Sequence, residues 1–185
     1  MGVPSVALAT VFLVHGMGRT RASMALLQFR LSRAGYRTVN VPYSQATESL
    51  EDITARLRKT VASESGGAPY HLVGHSLGNV VIRNGFKEGG YAPGLGRIVM
   101  LAPPNAPAYL ARRLKDVPPY RWATGDSGQR LADPAFYAAL PVPPVEFGVI
   151  AGDKGQSLTF AEPNDGVVAV SETRLEGMKE HVVLH

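Results

Sequence analysis

The chain has 185 residues and a mass of 19.7 kDa, which is one domain of ordinary size. It is 45% hydrophobic and 18% charged, with a mean hydropathy near zero, which excludes a disordered, coiled-coil or collagen-like chain. It has no cysteine, so disulfides, thiolate nucleophiles and Cys-based zinc sites are excluded, and its net charge of +4 is scattered.

Val6–Val14 is a continuous apolar run, as expected of a strand in a parallel sheet covered on both faces. It is too short to cross a membrane, and no Lys or Arg precedes it to make the basic end of a signal peptide. A cytoplasmic location is the expectation from that and from the lack of cysteine. Residues 22–34 place Met24, Leu27, Leu31 and Ala34 at helical spacing, and Gly35 stops the helix. A short strand is expected at Tyr36–Val41, ended by Pro42. A helix follows from Glu48 to Ser63, with Leu50, Ile53, Leu57 and Val61 on one face, and Gly66-Gly67-Ala68-Pro69 breaks it. A strand at Tyr70–Val73, a helix at Leu77–Phe86 and a strand at Arg97–Leu101 complete the alternation. Strand and helix in strict turn predict an α/β fold with a parallel sheet flanked by helices.

The texture changes between Pro103 and Pro144, where nine of the fourteen prolines fall. Short helical pieces are expected near Ala108–Lys115 and Ala135–Leu140, in a cap-like excursion long enough to lie over a pocket. The excursion offers Tyr109, Tyr120, Trp122, Phe136 and Tyr137, either as an apolar aromatic wall of that pocket or as anchors onto the sheet. Strands at Val145–Ala151 and His181–Leu184 end the chain. Residues 1–185 therefore read as one domain. The basic doublets Arg58-Lys59 and Arg112-Arg113 are not interleaved with aromatics, so no nucleic-acid partner is expected.

The chemistry concentrates in two turns. Gly74-His75-Ser76-Leu77-Gly78 lies between a strand and a helix, where a serine is held in a tight, strained turn above the sheet's carboxyl edge. Glycines flank it because a side chain there would strike the neighbouring strand or helix. His15-Gly16-Met17-Gly18 follows the first strand and turns the backbone back over the serine. An acyl-transfer site needs two amide donors for a developing oxyanion, and Met17 and Leu77 are the candidates. His15, His71 and His75 are read as structural, His15 as a brace of its loop.

The two turns and their spacing resemble the α/β-hydrolase superfamily, in particular its small bacterial esterases and lipases. The segments around Leu101–Asn105, Gly148–Asp153, Asn164–Val168 and Thr173–Met178 extend the resemblance over nearly the whole chain. It implies an α/β-hydrolase fold reduced to a minimal sheet, beginning at the strand before the first glycine turn. It also implies cofactor-free hydrolysis of a small-molecule ester or lipid by a Ser-Asp-His triad. Ser76 is then the nucleophile. Asp165, in Asn-Asp-Gly-Val-Val, matches the acid of the family, while Asp153 in Gly-Asp-Lys-Gly is expected to brace a turn. The histidine departs from the pattern. In the family it stands a few residues beyond the last strand, so either the catalytic histidine lies past residue 185 or His185 itself serves. No metal is expected, since Asp153 and Asp165 lack the spacing of a calcium loop. Two alternatives to the esterase stay open: acyl transfer to an alcohol at the same site, and a catalytically silent binding domain.

Overall fold

The structure is a computed structural model and describes residues 8–185. The first two residues of the expected opening strand lie outside that range. Six parallel strands form one sheet in the order β2-β1-β3-β4-β5-β6. They are β1 (Leu8–Val14), β2 (Tyr36–Asn40), β3 (Tyr70–His75), β4 (Leu95–Leu101), β5 (Phe147–Gly152) and β6 (Glu180–Leu184). β1 lies beside the edge strand β2, and from β1 the sheet winds outward through β3, β4 and β5 to β6 at the other edge. All six carboxyl ends share one edge of the sheet, where turns and side chains gather over a common site.

The helices on the two faces are unequal. α2 (Leu50–Glu64) and α3 (Leu77–Lys87) cover one face, and nine residues of α3 are buried. Phe12, Val14, Leu72, Ile98, Met100, Phe147 and Val149 point into that core against Leu50, Ile53, Leu57 and Val61 of α2. α2 is started by Ser49, whose side chain accepts from the Asp52 amide, with Glu51 and Asp52 favourable at the positive end of the helix dipole. On the opposite face α1 (Ala25–Arg33) stands alone. With Met24 it closes a small cluster over Val11, Leu13 and Val73 and buries no residue of its own completely. The expected helix over 22–34 is split, opening as a 3-10 turn at Arg21–Met24 capped by Thr20.

Residues 103–144 leave the sheet between β4 and β5. Two of their helices, α4 (Tyr109–Leu114) and α6 (Pro134–Ala138), fall near the anticipated pieces. The third, α5 (Pro118–Arg130), has no counterpart in the sequence pattern. It starts on Pro118-Pro119, which suit a first helical turn, and kinks at Gly125, where φ is +55°. Its apolar residues have no helical period, so its sequence reads as loop. Of the five excursion aromatics, Phe136 and Tyr137 are buried anchors, Tyr109 packs on Phe160, and Trp122 faces solvent. Only Tyr120 reaches the site cavity, so the aromatic wall is not formed.

Among the described residues no helix is long and apolar enough to cross a membrane, and no group of three or more His, Cys, Asp or Glu side chains could hold a metal ion.

Candidate functional site

Ser76 follows β3 directly and caps α3 with φ +49° and ψ −119°, a conformation that costs an L-residue about 1–3 kcal/mol. The surroundings hold it there. Its amide donates to the Leu101 carbonyl at 2.9 Å, and its carbonyl accepts from the Asn79 backbone amide at 3.0 Å. The buried Asn79 side chain donates to the carbonyls of Ser76 and Leu101 as well. The flanking glycines are required by space. A Cβ on Gly78 would lie 2.2 Å from the Val14 carbonyl oxygen, and one on Gly74 would lie 2.8 Å from the Asn79 amide nitrogen. A Cβ on Gly16 would lie 3.1 Å from the Ser76 Cβ, so the first glycine turn is pressed directly against the serine.

The turn after β1 is braced from below. His15 is fully buried, stacked on Tyr43 with ring centroids 4.0 Å apart, and the Tyr43 hydroxyl donates to the His15 carbonyl. Burial pushes the Tyr43 hydroxyl pKa up, so it stays a donor. The expected loop-bracing role of His15 is thus seen in geometry. Beyond it, Met17 faces the cavity, and neither its amide nor that of Leu77 donates to another group among the described residues.

Ser76 opens into a cavity of about 330 Å³, within the size range of small-molecule sites. Its apolar lining includes Ala108, Leu110, Ala111, Leu114 and Leu131, with Tyr120 the one aromatic. His75, Arg19 and Asp165 provide its charged and titratable groups. Burial lowers the His75 pKa, with Arg19 and His15 acting in the same direction and Asp165 opposing them.

Asp165 stands where β5's outgoing loop returns over the site. Its Oδ1 accepts from the amides of Val167 and Val168 at 2.9 and 2.7 Å. Asn164, buried beside it, shapes the loop by accepting from the Gln156 and Gly166 amides and donating to the Gln156 and Glu162 carbonyls. Asn79, Tyr43 and Asn164 are the supporting residues that sequence reasoning did not single out. Asn164 could have been found from the Asn-Asp-Gly turn in which it stands.

The structure brings Ser76, Met17, Leu77 and Asp165 together at the carboxyl edge of the sheet; His185 lies at that edge too, but away from the Ser76 cavity. His185, at the end of β6, sets Nδ1 against Asp153 at 2.8–2.9 Å, and it does not line the Ser76 cavity. Asp153 is therefore the partner of His185 rather than a brace within its own turn. His71 and His181 are engaged elsewhere, His71 accepting from the Arg97 amide and His181 bonding the Thr173 hydroxyl.

A parallel sheet in this order, with a strained serine between the third strand and its helix and a glycine turn folded onto it, defines the α/β-hydrolase fold. The profile described as Alpha/beta hydrolase family matches residues 11–175, and the chain belongs to that family. No curated protein matches it. Among solved structures it is similar to a Bacillus licheniformis lipase in mature form, at 17% identity over 98% of this chain and 86% of that one, with a TM-score of 0.78. A metagenomic carboxyl esterase shares 19% identity over 98% of this chain and 65% of that one, with a TM-score of 0.73. An extracellular α/β-hydrolase from a Paenibacillus species shares 16% identity over 96% and 90%, with a TM-score of 0.63.

Proposed function

We propose that the protein hydrolyses carboxylic esters through an acyl-enzyme on Ser76. The observation that carries this reading is the strained Ser76 held at the mouth of an apolar cavity, beside two unengaged amides. Ser76 Oγ attacks the ester carbonyl and its proton passes to an imidazole. The amides of Met17 and Leu77 receive the oxyanion as it forms, the imidazole returns the proton to the leaving alcohol, and water then releases the acid. Asp165 is the acid that orients and stabilises the imidazolium.

For the base, the chain presents His185. Its Nδ1 is already on a carboxylate and its Nε2 has no partner among the described residues, so Nε2 is the nitrogen that would take the Ser76 proton. In this reading His185, exposed at the end of its strand, exchanges Asp153 for Asp165 when substrate binds.

The test is covalent labelling with a fluorophosphonate together with turnover of p-nitrophenyl esters. Labelling at Ser76 is expected, and Ser76→Ala removes both labelling and turnover. Asp165→Asn lowers kcat by about ten-thousandfold while Asp153→Asn leaves turnover largely intact. The reverse pattern would refute the assignment of the acid. His185→Ala removes turnover as Ser76→Ala does; unchanged turnover in that variant assigns the base to another histidine.

The pairing of His185 with Asp153 favours one second reading, a hydrolase-shaped domain that binds without turning over. Absence of labelling in folded protein would decide for it. Acyl transfer to an alcohol uses the same groups and differs only in the acceptor, which product analysis with added alcohols distinguishes.

A further inference from the structure

The excursion carries a surface that ester hydrolysis does not explain. Residues 112–119 and 121–123 are exposed without a break, forming a tip that joins α4 to α5. Within Arg112-Arg113-Leu114-Lys115-Asp116-Val117-Pro118-Pro119-Tyr120-Arg121-Trp122 there are four cations and one carboxylate. None of the four cations is paired with a carboxylate among the described residues. The apolar side chains of this tip are also turned outward. Trp122, the protein's single tryptophan, is 86% exposed, and Val117 and Leu114 are 41% and 37% exposed.

A Trp and two aliphatic groups in water, among unpaired cations, are out of place on a surface that only faces solvent. They match a surface that meets lipid, where indole and aliphatic groups enter the headgroup boundary and Lys and Arg meet anionic headgroups. Position separates a lipid surface from a protein partner. Leu114 is at once part of the exposed tip and part of the Ser76 cavity wall, and Tyr120, between the exposed residues, also lines the cavity. Whatever covers the tip therefore covers the cavity mouth. A docked protein would close the mouth, whereas a lipid surface would supply it.

We propose that the tip at residues 112–123 docks on an anionic lipid surface and presents the Ser76 cavity to lipid esters held there. As a statement about substrate this rests on the ester-hydrolase reading; as a statement about a surface it does not.

Trp122 is a built-in reporter, since no other tryptophan contributes to the fluorescence. The protein is titrated with vesicles of phosphatidylcholine alone and of phosphatidylcholine mixed with phosphatidylglycerol, and bound protein is measured separately by flotation. The expected result is a blue shift and flotation with the anionic vesicles, both reversed by high salt. Each basic side chain near such a surface strengthens partition about fivefold, so the triple variant Arg112→Glu, Lys115→Glu, Arg121→Glu weakens flotation by about a hundredfold or more. Trp122→Ala weakens flotation while retaining its salt dependence. These side chains lie outside the cavity lining, so both variants keep fluorophosphonate labelling and turnover of a water-soluble ester, which also shows them folded.

Turnover of soluble ester with no blue shift or flotation on anionic vesicles overturns the docking proposal and leaves the hydrolase standing. Docking by a protein that neither labels nor turns over any ester supports the surface and refutes the hydrolase. Equal binding to neutral and anionic vesicles, or binding to duplex DNA as tight as to vesicles with no shift of Trp122, overturns the proposal.

Discussion

At the scale of the residue, the legible part of the site is the part built from steric constraint. Gly74, Gly78 and Gly16 stand where a single Cβ would collide with a neighbour, and their spacing around Ser76 is enough to mark the turn in the sequence. The supporting polar groups are less legible. Asn79, through the Leu101 carbonyl, and Tyr43, through the His15 carbonyl, make contacts that depend on the chain folding back on itself, and neither residue lies in a pattern that reveals this. His185 stands out as a candidate by its place in the chain, but its pairing with Asp153 follows from β5 and β6 being neighbours in the sheet, which residue order does not state. The tightest of these constraints gives a direct prediction. Gly78→Ala puts a methyl 2.2 Å from the Val14 carbonyl oxygen, which is backbone in a strand paired on both sides and cannot swing away. The N-terminus of α3 must then withdraw from β1, at a cost of about 3 kcal/mol, which urea denaturation would register. The same withdrawal moves the Leu77 amide away from Met17, so labelling of Ser76 should fall even in the fraction that stays folded. Unaltered stability in Gly78→Ala would mean that α3 packs against β1 less closely than that distance requires.

At the scale of the element, strands and amphipathic helices follow their periodicity, and α5 does not. Its opening prolines and the glycines at 125 and 128 argue for a loop, and tertiary contacts decide otherwise. Asp126 accepts from the Leu50 amide at the N-terminus of α2, and Arg130 reaches Glu51. The roots of the excursion are fixed by a buried cation that no motif flags. Arg83 of α3, 2% exposed, donates to the carbonyls of Leu140 and Pro141 at one root and to the Asn105 side chain at the other. Burial lowers its pKa to about 10, so it keeps its charge through the physiological range and neutral oxygens carry that charge. Arg83→Met leaves those acceptors buried without a donor and should cost about 3 kcal/mol. Arg83→Lys recovers only part of this, because one ammonium cannot span both roots as a guanidinium fork does. Limited proteolysis supplies the second readout. With both roots released, cleavage within residues 112–123 should accelerate more than global unfolding accounts for. Equal acceleration across the chain would make Arg83 an ordinary core residue.

At the scale of the whole molecule, the sheet is closed on one face and thinly covered on the other. Beyond α1 that second face runs through Val99, Leu101, Ile150, Val182 and Leu184, of which Val99, Val182 and Leu184 are exposed. A parallel sheet is expected to be buried on both faces, and the sequence of these strands alone does not distinguish the bare face from the covered one. Three histidines sit across this sheet and share one property. Burial is the leading cause that lowers the pKa of His71, His75 and His181, joined by Arg97 at His71 and by Arg174 at His181, while Asp165 partly opposes it at His75. A histidine with a folded pKa below its unfolded value near 6.5 binds its proton more readily when the chain unfolds. Stability is therefore complete above about pH 6.5, declines as the pH falls below that value, and stops declining on this account once the folded pKa values are passed. The geometry agrees at His71, whose Nδ1 accepts the Arg97 amide and would have to give up that bond to take a proton. Thermal unfolding between pH 8 and pH 5 should show Tm falling across the lower half of that range. His71→Gln, which keeps an acceptor and removes the titration, should flatten part of the fall while leaving the value at pH 8 nearly unchanged. A profile as steep in His71→Gln, His181→Gln double-variant protein as in the parent would place the acid sensitivity at His75 or outside this sheet.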